Sequence, residues 1–302
     1  MKAFEHQRSD AAPGPRIVVL RSSNQPIFDA PLRSFLKETT GDLWVLPSVA
    51  DRDPELIGEV TRSLNPALVV AFGSAAAMIA RDHIKTAPVL FVMVLNYRRA
   101  GLAGLDGVAG IALETPPAVE FAQFKMVLPS LRRVVCFYHA PSSQELVDRS
   151  VEALAKLQVE LVPVAIDTPD AIASAYAGAV SAGTAVWYLN DPVLINAKTF
   201  AWLRDRTLAD KIPLLASLSD DFAAKGALMS VSVDFTSLGA QAALAARRML
   251  VQREPTKAIG VQDPIGATLS LNLDVARQIG IDVPAEIIPF ITKLIVAQSS
   301  PR

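Results

Sequence analysis

The clearest indication of chemistry is the tripeptide Gly73-Ser74-Ala75, which directly follows the apolar run ALVVAF. The run predicts a strand ending at Phe72, the glycine permits a tight turn, and a helix is expected to begin at about Ser74. The first amides of a helix lack intrahelical partners and carry its positive end, so they favour carboxylates and phosphates. The pattern therefore predicts an anion site with the Ser74 hydroxyl as an extra donor. The alternative is that Ser74 only caps its own helix.

Small or polar residues also follow the other predicted strands. In open parallel sheets, ligands bind beyond the carboxyl ends of the strands. We therefore expect one ligand cleft lined by Ser22, Ser23, Gly73, Ser74, Ala75, Asn96, Tyr97, Ser142, Ser143 and Asp191. Helix caps use the same residue types, so capping is the alternative at each position. Asp191, for example, follows AVWYLN and precedes Pro192, so it is either a ligand contact or the cap of the next helix.

Common catalytic and metal-binding signatures are missing from the sequence. The single cysteine, Cys136, lies in the apolar run VVCFY and is expected to be a core residue. Because there is only one cysteine, the chain cannot form an intrachain disulfide or a zinc site built from several cysteines, and it cannot use the two-cysteine mechanism of amino-acid racemases. RSSN stands where a dinucleotide-binding protein has its glycine motif, and neither a phosphate-binding loop nor a nucleophile elbow occurs. We therefore expect no catalytic residues, no cofactor and no metal.

The composition predicts that neither nucleic acid nor a membrane interior is a partner of this chain. The charge is balanced, with 29 Lys+Arg against 30 Asp+Glu, and no basic stripe predicts nucleic-acid binding. The longest apolar run, PVLFVMVL from Pro88, is shorter than the ~20 residues that span a bilayer, so the chain is not expected to insert into a membrane. The first residues, MKAFEHQRSDAAPGPR, contain no apolar stretch typical of a secretion signal. Either a signal lies upstream or was removed, or the protein is cytoplasmic.

Short apolar runs alternate with segments of helical periodicity along the 302 residues. The runs are apolar at consecutive positions, which is typical of parallel strands covered on both faces. The alternation occurs twice and is interrupted by the Gly- and Pro-rich stretch 101–117. We therefore predict an α/β fold of two Rossmann-like lobes with parallel sheets. The expected bounds are 16–113 with 234–262, and 114–233 with 263–302, after a disordered leader at 1–15.

Three segments carry a resemblance to a known family. They are IPLLASLSDDFAAKGALMSVSVDFTSLG from Ile212, LSLNLDVARQIGIDVP from Leu269 and AGIALETPPAVEFAQFKMVLPSLRRVVCFYH from Ala109. They resemble the substrate-binding proteins of ABC transporters with the type I periplasmic-binding fold, some of which bind aromatic amino acids such as tryptophan. The similarity runs from about Arg16 to Pro289 and is most specific in the C-terminal third.

The resemblance implies roles for individual residues. Gly73-Ser74-Ala75-Ala76 matches the family's Gly-Thr-Pro-Ala turn, the loop 140–143 matches its first loop of the second lobe, and Asp191 matches an Asp expected to pair with a ligand ammonium. Asp234 belongs to the family's Val-Asp-aromatic motif and is expected at a crossing between lobes and near the ligand. Where the family has Asp-Pro, this chain has Asn96-Tyr97 followed by two arginines, which favours a more anionic ligand or one that stacks on Tyr97.

The resemblance implies a protein that binds and does not catalyse. Three crossings, near Leu113, Asp234 and Val261, would act as the hinge of a Venus flytrap that closes on an amino acid or a small organic anion. The expected partners are ABC permease subunits, the expected state is a monomer, and the expected location is the periplasm or cell surface. Two alternatives are a cytoplasmic sensor of the same fold and an α/β enzyme with an unrecognised site.

Overall fold

A computed structural model describes residues 4–8 and 14–296. The chain divides into two compact units, which are connected by three passages of the backbone. Unit 1 comprises Met1–Glu114 and Val233–Gly266, and unit 2 comprises Thr115–Ser232 and Ala267–Arg302.

The strands in chain order are β1 (Glu5–Arg8), β2 (Arg16–Arg21), β3 (Asp42–Leu46), β4 (Leu68–Phe72), β5 (Val89–Val94), β6 (Val108–Ala112), β7 (Arg133–Tyr138), β8 (Glu160–Ala165), β9 (Ala185–Tyr188), β10 (Leu214–Ser217), β11 (Met229–Val233), β12 (Val261–Gln262), β13 (Ala267–Asn272) and β14 (Lys293–Ile295).

The α-helices are α1 (Asp29–Glu38), α2 (Pro54–Ser63), α3 (Ser74–His83), α4 (Pro117–Val127), α5 (Ala140–Lys156), α6 (Ile172–Ala179), α7 (Ala197–Ala209), α8 (Asp221–Ala224), α9 (Phe235–Leu250), α10 (Thr256–Ile259) and α11 (Leu273–Ile279). Short 3₁₀ helices occupy Pro26–Phe28, Pro169–Ala171 and Ala285–Phe290.

Each unit contains one seven-stranded sheet. The order in unit 1 is β1-β3-β2-β4-β5-β6-β12, and every neighbouring pair is parallel except β1 with β3. The order in unit 2 is β14-β13-β11-β10-β9-β7-β8, with parallel pairing across β11-β10-β9-β7-β8 and between β13 and β14.

The apolar runs become strands because both faces of each sheet are covered. Every residue of β4 and of β5 is buried, and each unit holds two hydrophobic clusters on opposite faces of its sheet. Helices therefore shield both sides, as parallel sheets require. The predicted α/β architecture of two parallel-sheet lobes is confirmed. No helix in the part of the chain that the structure describes has both the length and the apolar character needed to cross a membrane.

The expected disorder of residues 1–15 is wrong for residues 5–8, which form β1 antiparallel to β3. The segment is held because His6 Nε2 lies 2.7 Å from Asp42 Oδ1, and the imidazole packs on the Trp44 ring with centroids 4.6 Å apart. The rest of the expected leader includes residues 1–3 and 9–13, which lie outside the described residues.

Candidate functional site

In unit 1, the loops after β2 and β4 meet at the carboxyl edge of the sheet. The Ser22 amide donates to the Phe72 carbonyl at 2.9 Å, and the Ser22 hydroxyl accepts from the Ala76 amide at 3.0 Å. Ser22 therefore caps the third residue of α3 from a neighbouring strand end. Ser74 and Ala75, the first two residues of α3, are exposed at this edge. The structure thus brings Ser22 together with the predicted Gly73-Ser74-Ala75 turn.

Gly73 makes this junction possible. Its φ is +90°, and a Cβ placed on it would lie 2.6 Å from Ser22 Oγ and 2.8 Å from the Phe28 ring. The backbone conformation favours glycine, and the neighbouring atoms leave no room for a side chain.

Replacing Gly73 by alanine is expected to lower the free energy of unfolding by about 2–4 kcal/mol, combining positive-φ strain with overpacking. Gly104→Ala is the matched control, because Gly104 has φ +69° and an added Cβ there meets no atom within 4 Å. The control should lose only about 1 kcal/mol of unfolding free energy, the cost of a positive φ for a residue that has a Cβ. Urea unfolding of both variants measures the difference, and equal losses would contradict the close contact.

Ser23, Asn96 and Tyr97 each contact other residues of unit 1. The Ser23 hydroxyl accepts from the Gln25 amide at 3.5 Å, within its own turn. Asn96 has φ +48°, and its amide donates to the Glu114 carboxylate. The Tyr97 ring packs against Phe91 with centroids 5.7 Å apart.

The guanidinium of Arg98 lies 5.2 Å from the centroid of the Tyr97 ring. With Phe91 and Arg98 around it, the half-buried ring already has partners. Its use as a stacking platform for a ligand stays a prediction.

In unit 2, Ser142 and Asp191 are connected through His139. The His139 amide donates to Asp191 Oδ2 at 2.8 Å, and His139 Nδ1 lies 2.8 Å from Ser142 Oγ. The carboxylate thus contacts the backbone of His139 and not its ring, so the three residues do not form the relay of a serine hydrolase. His139 and Ser142 are half-buried at the carboxyl end of β7, whereas Ser143 is buried in α5.

Asp191 is fully buried, and its carboxylate is used by the backbone. Besides the His139 amide, it accepts from the Val193 and Leu194 amides at 2.8 and 3.1 Å. These contacts hold the turn that follows Asp191. The next helix, α7, begins at Ala197 and is capped by Asn196, so Asp191 does not cap it. Its contact with a ligand stays a prediction.

Asp234 caps a helix, α9. Its Oδ1 accepts from the Thr236 and Ser237 amides at 2.9 and 3.3 Å, and its Oδ2 accepts from the Ser237 hydroxyl at 2.7 Å. Partial burial raises the pKa of Asp234, but these hydrogen bonds lower it by more, so it lies below its ordinary value. The carboxylate therefore fixes the start of α9, directly after the second passage between the units.

A buried cluster of Glu120, Trp187 and Ser217 lies at the carboxyl ends of β9 and β10. The Trp187 indole nitrogen donates to Ser217 Oγ at 2.7 Å and to Glu120 Oε1 at 3.3 Å, and Ser217 Oγ bonds to the same Glu120 oxygen. Burial raises the pKa of Glu120 to about 8, although the bonds from Ser217 and Trp187 oppose this rise. This cluster was not among the predicted site residues. Its one signal in the sequence is an acidic residue inside the apolar helix PAVEFAQFKMV.

Cys136 is fully buried in β7, and burial raises the pKa of its thiol to about 12. Because the thiolate is the reactive form, we expect native protein to react with iodoacetamide at least about 100-fold more slowly than protein in 6 M guanidinium. Mass spectrometry of the alkylated fraction over time measures both rates. Rapid labelling of the native protein would contradict the burial of this side chain.

The chain matches a known protein family over most of its length. Residues 48–294, most of the chain, match the family described as ABC transporter substrate binding protein. No curated protein sequence matches the chain.

Solved structures share the fold at low sequence identity. A ligand-free, open substrate binding protein with adhesive properties from Clostridium difficile, CD0873, is 18% identical with a TM-score of 0.73, covering 93% of this chain and 99% of that one. An ABC domain from Streptococcus pneumonia in complex with L-Trp is 17% identical with a TM-score of 0.62, covering 93% and 100%.

A sugar-binding protein of a sugar ABC transporter from Bacillus halodurans is 12% identical with a TM-score of 0.57, covering 87% of this chain and 99% of that one. At such identities the likeness shows the fold alone. The fold is that of type I periplasmic binding proteins, as predicted.

Proposed function

We propose that this chain, which belongs to the family of ABC transporter substrate binding proteins, captures an amino-acid-like ligand and presents it to the permease subunits of a transporter. The observation that carries the proposal is the family match over residues 48–294, which includes parts of both units. The complex of the pneumococcal domain with L-Trp supports the choice of an amino acid as the first ligand class to test.

Unit 1 would bind the ligand's carboxylate at the start of α3. The Ala76 amide is occupied by Ser22, while Ser74 and Ala75 are exposed at the carboxyl edge of the sheet. The amides of the first helical turn have no acceptors within the helix, so those of Ser74 and Ala75 can donate to an anion. The Ser74 hydroxyl adds a third donor.

Unit 2 would bind the ligand from its own carboxyl edge. Its accessible polar groups there include the half-buried His139 and Ser142. His139 follows β7 directly and Ser142 lies in the first turn of α5, near the edge where open parallel sheets bind ligands. We propose that the two edges close on the ligand as the three connecting segments rotate.

Two of those segments meet near Gly266, which has φ +85° and accepts a long hydrogen bond of 3.5 Å from the Asp234 amide. A bond of this length restrains the two crossings only weakly. This contact supports a hinge at the passages 232–233 and 266–267.

The direct test is a ligand screen. Thermal shift against the twenty L-amino acids and a set of small organic anions should show stabilisation by a few related compounds, followed by calorimetric titration with a stoichiometry near one. The ligand recovered afterwards should be chemically unchanged, because the protein is proposed to bind without catalysis. Absence of any hit, or conversion of the bound compound, would overturn the proposal.

The cellular location separates transport from the alternative of a cytoplasmic sensor. A substrate-binding protein of a transporter is expected outside the cytoplasmic membrane. Fractionation of cells that express the native gene, followed by immunoblotting, should place the protein in the envelope fraction. A purely cytoplasmic protein would favour the sensor.

A further inference from the structure

Ser217 occupies a position from which it can meet a ligand. It is the last residue of β10, near the middle of the unit 2 sheet, and its side chain is 8% exposed. Its neighbours in the cluster, Glu120 from α4 and Trp187 from β9, are 3% and 2% exposed. Ser217 is therefore the outermost member of a polar group that is otherwise inside the protein.

The hydrogen bonds of the cluster have a defined direction. An indole N–H can only donate, so Ser217 Oγ accepts from Trp187, at 2.7 Å. The same indole also donates to Glu120 Oε1, at 3.3 Å, which makes that oxygen an acceptor. The Ser217 hydroxyl gives its own hydrogen to Glu120 Oε1. With its proton committed, Ser217 has one lone pair left and can only accept a further hydrogen bond.

The backbone beside Ser217 is strained. The Ser219 amide donates to the Ser217 carbonyl at 3.0 Å, closing a three-residue turn around Leu218, whose φ is +77°. A γ-turn with positive φ is rare and costly for a residue with a side chain. Such strain is concentrated at ligand sites, where the surrounding structure maintains it. It marks the end of β10 independently of the hydrogen bonds.

We propose that Ser217 is a specificity-determining residue that accepts a hydrogen bond from the ligand's ammonium group, with Glu120 and Trp187 as the residues that position it. The inference rests on the proposed function and refines its ligand: the bound molecule carries a cationic donor beside its carboxylate. A hydroxyl oxygen that can only accept favours a donor such as an ammonium group over an anionic group, which has no hydrogen to give.

Calorimetric titration with L-tryptophan and with indole-3-propionate, which lacks the amino group, tests the inference. Ser217→Ala should weaken binding of L-tryptophan by about tenfold to hundredfold, the range for a hydrogen bond to a charged group. It should change binding of indole-3-propionate by less than about threefold. Ser174→Ala, an exposed serine on α6 whose hydroxyl donates to Ala171, is the control and should bind like the wild type.

Variants of Glu120 show whether this residue positions the Ser217 hydroxyl or is needed only for the protein to fold. Glu120→Leu should lose affinity for L-tryptophan much as Ser217→Ala does, and Glu120→Gln, which keeps an accepting oxygen, should recover most of the loss. Melting temperatures of the unliganded variants show whether each is folded.

Two results would overturn the inference in different ways. Equal affinity of wild type and Ser217→Ala for L-tryptophan, or an equal loss for both ligands, would remove Ser217 from the ammonium site and leave the proposed function intact. If the wild type does not bind L-tryptophan, the amino acid that gives the largest thermal shift and its analogue without the amino group take the place of the two ligands. Failure of the wild type to bind any L-amino acid would overturn the amino-acid ligand itself, and this inference with it.

Discussion

Asp191→Ala is expected to lower the free energy of unfolding of unit 2 by about 2–5 kcal/mol. The substitution leaves the His139 and Val193 amides without the acceptor they have now, and a buried donor without a partner costs about 1–3 kcal/mol. The Leu194 amide loses less, because it also lies 3.1 Å from the Asp191 carbonyl. Against a total stability of about 5–15 kcal/mol, this loss is large.

Urea unfolding followed by tryptophan fluorescence measures the loss. Asp170→Ala is the control, because Asp170 forms an ion pair with Lys198 in which both side chains are more than 80% exposed. Such pairs contribute about 0–1 kcal/mol. Unchanged stability of Asp191→Ala together with weakened ligand binding would restore the interpretation of Asp191 as a ligand contact.

Glu120 is expected to make stability fall as pH rises from about 5 to 8. Because burial raises the pKa of Glu120 from 4.5 in the unfolded chain to about 8 in the folded protein, the folded state holds a proton that the unfolded state has lost over this window. Folding therefore takes up a proton, and stability decreases with pH by up to about 1.4 kcal/mol per unit. This stabilising contribution is fully present below pH 4.5, the pKa of the unfolded chain, and it is lost as the pH rises through about 8, the pKa of the folded protein.

Glu120→Gln removes the titrating group and should flatten this part of the profile. Urea unfolding of both proteins at pH 5, 6, 7, 8 and 9 gives the two curves, and their difference isolates Glu120 from other groups. The amide cannot ionise, so a lower absolute stability of the variant does not affect the comparison of slopes. Parallel curves would show that Glu120 is not a buried neutral acid.

The fold could be predicted because its signal is local. Runs such as LVVAF and VLFVMV are short, rich in β-branched residues and apolar at every position, which is typical of a strand covered on both faces. The sequence of β1, EHQR, is polar throughout and gives no such signal. β1 pairs with β3 because the His6 side chain contacts Asp42 and Trp44 on that strand. Contacts between distant residues, and not local preference, determine that strand.

The candidate site was less predictable, because the same residue types cap helices and bind ligands. Asp234 stands directly after β11, and Asp191 stands three residues after β9. At such positions a ligand contact and a residue that accepts from backbone amides have the same sequence pattern. Only the backbone geometry shows that amides already use their carboxylates. Glu120 and Ser217 are separated by 97 positions, and nothing in either local sequence indicates that they meet.

The most direct test of the central claim, capture of a small ligand by closure of two units, is small-angle X-ray scattering with and without saturating ligand. L-tryptophan, or the amino acid that gives the largest thermal shift, is the ligand to use. We expect the radius of gyration to decrease on saturation, with the change complete at one ligand per chain as judged by calorimetry. Binding that leaves the radius of gyration unchanged would contradict the account.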